Sequence, residues 1–169
     1  MGFEAVILVG HGGIPTDVPA DLVSELKGLE AARRARGGEP PGAREIELDR
    51  TLREWPRSRR TDPYKSGLEE VLEALRPRLG GRRLVQAYNE FYAPSVEEAL
   101  AALVAEGATR IVLLTTMFTR GGAHAEFEIP RIVAEARKQY PDLTIEYVWP
   151  FDLARIADFL AAHVPPAQG

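Results

Sequence analysis

Val6-Ile7-Leu8-Val9-Gly10-His11-Gly12-Gly13 decides the fold: four consecutive large aliphatic residues run straight into a histidine set among glycines. Such a run, bounded by breakers, reads as a strand buried on both faces of a parallel sheet, and the glycines end it in a tight turn. His11 therefore stands at the carboxyl end of a central strand. In open α/β sheets ligands bind in the crevice outside those ends, which makes His11 a site candidate. The competing reading is a histidine that hydrogen-bonds a neighbouring loop.

Beyond the glycine turn, Asp17 is placed to cap a helix written by Ala20, Leu22, Val23, Leu26 and Leu29, running to about residue 36. Gly37-Gly38-Glu39-Pro40-Pro41-Gly42 breaks it, and Ile46, Leu48, Leu52 and Trp55 mark a second amphipathic helix ending at Pro56. A basic loop, Pro56-Arg57-Ser58-Arg59-Arg60-Thr61-Asp62-Pro63, closes on a cap followed by proline at the first helical position. Tyr64, Leu68, Val71, Leu72, Leu75 and Leu79 supply the next buried stripe, Gly80-Gly81 stop it, and Leu84-Val85-Gln86-Ala87-Tyr88 is a second strand.

That strand delivers Glu90 to the same edge as His11, and Ser95-Val96-Glu97-Glu98 is a capping box opening another helix. A third aliphatic run, Arg110-Ile111-Val112-Leu113-Leu114-Thr115-Thr116, leads through a glycine-containing loop to His124 and a helix with Pro130 in its first turn. Leu143-Thr144-Ile145-Glu146-Tyr147-Val148 is the fourth strand, and Asp152 caps a last helix through Ile156, Phe159, Leu160 and His163. Strands alternating with helices specify an α/β fold: a four-stranded parallel sheet, expected order 2-1-3-4, with right-handed crossovers and helices on both faces in three layers. No internal repeat covers the chain. A single domain over 1–169 is expected, and the segment at about 31–62 between strands 1 and 2 is long enough to read as an inserted helical lid or partner surface.

Composition narrows the chemistry. With 21 Lys+Arg against 25 Asp+Glu the formal charge is -4, which disfavours a general nucleic-acid binder. No apolar run approaches the ~20 residues of a membrane span and no secretory leader is legible, so the expectation is a cytoplasmic protein without a membrane partner. The chain has no cysteine, so any metal must be held by His, Asp or Glu. His11, Glu90 and His124, each at the carboxyl end of a strand, form such an inventory: two imidazoles and a carboxylate suit Co, Ni, Fe or Zn and leave coordination positions for a substrate atom. The alternative is that each caps a helix or bonds a loop. The Gly10–Gly13 turn lacks the P-loop lysine and the three-glycine dinucleotide spacing, and no G-x-S-x-G elbow exists, so neither a nucleotide site nor a serine hydrolase is indicated.

The strand ending in GHG, the segment AYNEFYAPSVEEAL at 87–100 and TTMFTRGGAHAEFEIP at 115–130 resemble the small, single-repeat sirohydrochlorin chelatases, class II chelatases related to cobalt chelatases and ferrochelatase. The resemblance covers 3–13 and 84 to the C-terminus. It implies that His11 and His124 bind the metal and that Glu90 completes the site; Gly13 stands where relatives often have Ser, and G-G-A-H where they often have G-G-H. The implied activity is ATP-independent insertion of a divalent ion, Co(II) before Fe or Ni, into sirohydrochlorin in the cobalamin or siroheme route. His11 and His124 would hold the ion, one of them also taking a pyrrole proton, and Glu90 would accept the second. Since ligating histidine must be neutral, metal binding is expected to weaken below about pH 6.5. The substrate's carboxylates make Arg120, Arg57, Arg59 and Arg60 candidates for seating the tetrapyrrole, with a solvated charge run as the competing reading. Glu126 and Glu128 are placed to meet the metal or to orient the macrocycle, with their position at a helix N-terminus as the competing reading, and His163 is expected to be dispensable. A noncatalytic metal or tetrapyrrole carrier is the alternative function. For a single repeat, a homodimer is one expectation and an insertion filling part of the missing half is the other.

Overall fold

The computed structural model describes residues 2–166. Its sheet has four parallel strands: β1 (Phe3–Gly10), β2 (Arg83–Tyr88), β3 (Ala108–Thr115) and β4 (Thr144–Tyr147), in the order β2-β1-β3-β4. The expected order and parallel direction are both found. β1 lies inside the sheet, with Val6 opposite Leu84 on one side and Val112 on the other. Its alternating side chains feed two cores. Ala5, Ile7 and Val9 face α4 (Val96–Ala105) and α5 (Ile129–Gln139), packing with Leu100, Leu103, Ile129 and Val133. Val6 and Leu8 face the other layer, α1 (Ala20–Ala35), α2 (Ala43–Arg53) and α3 (Pro63–Leu75), through Leu26, Leu48, Leu52 and Leu68. A strand apolar on both faces is thus buried on both faces.

The segment expected as a lid is part of this second layer. Leu48 and Leu52 of α2 are 2% and 1% exposed against the sheet-side core, so the connection forms the wall of the domain rather than a flap over it. A half-buried pair, Arg33 with Glu45 at 2.8 Å, and the exposed pair of Arg44 with Glu25 at 2.7 Å join α1 to α2.

Two caps form as expected: Asp62 accepts from the Lys65 amide ahead of Pro63, and Ser95 with Glu98 makes the reciprocal box. Asp152 likewise accepts from the amides of Ala154 and Arg155 at the start of α6 (Leu153–Ala161). Asp17 does not cap. The residue preceding α1 is Pro19, and Asp17 lies too far upstream to reach the first amides. Part of the expected stripe is exposed on three helices: Ile46 on α2 and Val71 on α3 point outward, and α6 buries none of its residues, leaving Leu153, Phe159 and Leu160 open. α6 follows an edge strand, β4, and has no further layer to close against. No helix among the described residues is long and apolar enough to cross a membrane.

Candidate metal centre

The ladder does not stop where the strands end. The amides of Asn89 and Glu90 donate to the carbonyls of Gly10 and His11 at 3.1 and 3.0 Å, and the Thr116 amide donates to Val9 at 3.1 Å. These bonds fix the loops after β1, β2 and β3 side by side. Gly12 makes the approach possible: its φ is +102°, and a Cβ there would lie 2.0 Å from the Glu90 carbonyl oxygen. Phe91, the residue after Glu90, also has a left-handed φ of 62°, a conformation that costs a non-glycine residue about 1–3 kcal/mol and turns the chain away from the rim.

His11, Glu90 and His124 come together at this rim, each offering one ligand atom within 4.8 Å of the others. The His11 and His124 rings meet edge to face with centroids 4.7 Å apart, and His124 Nε2 lies 3.6 Å from Glu90 Oε1. Ligands about 2.1 Å from one ion are at most about 4.2 Å apart, so small side-chain rotations close the triad on a common ion.

Both imidazoles are oriented from behind. His11 Nδ1 bonds the Gly12 carbonyl at 2.9 Å, and His124 Nδ1 bonds Glu128 Oε2 at 2.7 Å. An Nδ1 proton donated to these acceptors leaves each Nε2 lone pair free, which is the tautomer a metal ligand needs. Asn89 Nδ2 donates to the same Glu128 oxygen at 3.3 Å. Of the two carboxylates that follow His124, Glu128 therefore orients the imidazole, a role not expected for it, while Glu126 accepts from the Gly121 amide and closes its loop.

His124 opens a π-helical turn, His124–Glu128, where an ordinary helix is expected. The Ile129 amide reaches back to the His124 carbonyl, and Pro130, lacking an amide, cannot continue an α-type ladder through this turn. Tyr147 at the end of β4 donates its hydroxyl to the Ala125 carbonyl at 2.9 Å, and burial pushes that hydroxyl up to about 12, so it remains a donor. On α1, burial foremost pushes the Glu30 carboxyl up; Arg34 and Lys27 oppose the shift and the charge of Glu90 adds to it.

The four arginines assigned to substrate part ways. Arg57 is buried, its side chain 8% exposed, and its guanidinium is taken up by the protein: it pairs with Asp62 at 2.6 Å and lies over the Tyr92 ring. It is not available to a tetrapyrrole. Arg59 pairs with Glu70 at the surface and Arg60 is exposed. Arg120 remains at the rim of a groove of about 310 Å³ with Glu126, Phe127, Trp149 and Pro150. Tyr64, not among the residues expected at the site, has a hydroxyl that accepts the His11 amide at 2.7 Å. Its signal was present, since Asp62-Pro63 fixes the start of α3 and places the next residue in its first turn.

A family model described as CbiX matches residues 58–164. The sirohydrochlorin ferrochelatase of Priestia megaterium is 30% identical over 76 residues, which span 44% of this chain and 28% of that relative. Among solved structures, the sirohydrochlorin chelatase SirB of Bacillus subtilis subspecies spizizenii in complex with cobalt has a TM-score of 0.53 at 19% identity, covering 86% of this chain and 42% of its own. SirB from Bacillus subtilis with Fe3+ gives 0.52 at 20%, covering 96% and 48%. A cobalamin (vitamin B12) biosynthesis CbiX protein from Marinobacter aquaeolei VT8 gives 0.50 at 13% identity, with 94% and 95% covered. The chain thus spans less than half of either SirB structure, and these likenesses are ones of fold. The family model spans well over half of the chain and includes Glu90 and His124, and the chain belongs to the CbiX family.

Proposed function

We propose that this chain inserts a divalent metal ion into sirohydrochlorin without a nucleotide, with Co(II) as the first candidate and Fe and Ni behind it. The observation that carries the reading is the triad of His11, Glu90 and His124, whose ligand atoms lie within 4.8 Å of one another while both histidine Nδ1 atoms are engaged elsewhere. Family membership and the relatives described as sirohydrochlorin chelatases support it.

The ion is a substrate. Held by two neutral nitrogens and one carboxylate, it keeps open positions to which ring nitrogens bind as waters leave. Insertion releases two pyrrole protons for each divalent ion, so the net charge of ring plus ion plus protons is unchanged. Glu90, 3.6 Å from His124 Nε2, is placed to accept one proton, and a histidine released from the ion accepts the other. Arg120, on the loop that carries His124, is the arginine we assign to a substrate carboxylate.

The test is an anaerobic absorbance assay of sirohydrochlorin with Co(II) over many turnovers. Wild type and His163→Ala turn over repeatedly, while His11→Ala and His124→Ala fall by at least about a hundredfold, the scale of a lost acid–base or ligand group, and Glu90→Gln falls in the same direction. Binding of metal or pigment without catalysed insertion would instead make the chain a carrier.

A further inference from the structure

The buried Arg57 guanidinium touches three separate segments. Nη1 donates to Asp62 Oδ2 at 2.6 Å and to the Gly13 carbonyl at 3.2 Å; Nη2 donates to the Leu52 carbonyl at 2.8 Å and, in a short contact, to the Phe91 carbonyl. Gly13 belongs to the loop that carries His11, and Phe91 follows Glu90 directly. The ring of Tyr92 covers the guanidinium at 3.7 Å, and its hydroxyl donates to the same Asp62 oxygen at 2.5 Å. Asp62, 3% exposed, also accepts the Lys65 amide at 3.0 Å as the cap of α3.

We propose that Arg57 is a positioning residue, a buried clamp that sets the separation of the His11 and Glu90 loops, with Asp62 and Tyr92 fixing the plane of its guanidinium. The proposal rests on the reading of His11, Glu90 and His124 as the ion site. A planar fork with donors on both arms spans the Gly13 and Phe91 carbonyls at once, whereas a point-charge ammonium does not. The basic connection between α2 and α3 is thereby tied to the metal rim from beneath rather than to the tetrapyrrole from above.

Arg57→Lys keeps the charge opposite Asp62 and removes the bridge. Two readouts are taken on the folded protein: amide hydrogen exchange, and the Co(II) absorption spectrum in a metal titration. The expected result is at least tenfold faster exchange at Asn89 and Glu90, whose amides bond Gly10 and His11, with β3 and β4 protection unchanged, together with at least tenfold weaker Co(II) binding. Wild-type protection in a folded Arg57→Lys protein, or faster exchange with wild-type Co(II) affinity, overturns the proposal. Should Arg57→Lys not fold, Tyr92→Phe, which frees one bond to Asp62, is expected to move both readouts in the same direction by a smaller factor, and no movement there overturns it. If His11→Ala binds Co(II) as wild type does, the ion-site reading has failed, while the exchange data still judge the clamp.

Discussion

At the residue scale the site depends on what stands behind the proposed ligands. His11 and His124 were legible because each stands beyond an aliphatic run in a glycine-containing loop. Glu128 reads in the sequence as a metal or macrocycle contact or as a helix-start carboxylate, and the 2.7 Å contact to His124 Nδ1 gives it a different role, orienting the imidazole. Arg57 was misassigned for a physical reason: a charge in a run of arginines reads as solvated or ligand-facing, and burial of one member depends on an acidic partner and carbonyls that sequence order does not bring together. Gly12 carries a prediction at this scale. Gly12→Ala meets both an unfavourable φ and a Cβ 2.0 Å from the Glu90 carbonyl, so it should cost at least about 1–3 kcal/mol and abolish the Co(II) absorption bands. Gly28→Ala, in mid-helix with nothing within 4 Å of the added carbon, should leave the bands unchanged and gain up to about 1 kcal/mol of stability in denaturant titrations. Equal behaviour of the two variants would mean that the rim does not need its close approach.

At the element scale, the strands and α3 to α5 follow from periodicity and caps, because burial on a sheet face and satisfaction of helix-end amides are local demands. The connection at about 31–62 did not follow, since polar, Pro/Gly-rich flanks look the same whether the helix between them packs or swings. Leu48 and Leu52 settle it by packing into the core. Asp62 joins this wall to α3, and its titration gives a signed expectation. Burial raises its carboxyl, but the Tyr92 hydroxyl, the Lys65 amide and Arg57 outweigh that and hold it below the ordinary aspartate value. A carboxyl depressed in the folded state contributes stability that is complete above about pH 4, the unfolded value, and lost as pH falls through the folded one. Denaturant midpoints between about pH 2 and pH 6 should therefore decline on the acid side in wild type. Asp62→Asn should be destabilised by about 3–5 kcal/mol at neutral pH, as it strands Arg57, and should lose part of the acid slope. An unchanged slope in that variant would show that Asp62 does not titrate with folding.

At the scale of the whole molecule, parallel strands, helices on both faces and the order β2-β1-β3-β4 put three loops on one rim, and that order is compatible with right-handed crossovers and an inner β1. The exposed face of α6 was not legible, because an amphipathic stripe reports that a helix has an apolar side and not whether this chain covers it. The central claim concerns where one ion sits on that rim. The most direct measurement is the anomalous diffraction of crystals of the full chain grown with Co(II), collected on both sides of the cobalt edge. A single anomalous peak within coordination distance of His11 Nε2, His124 Nε2 and a Glu90 oxygen, absent from His124→Ala crystals, is the expected result. A peak held by other residues, with the three side chains left as they stand, would contradict it.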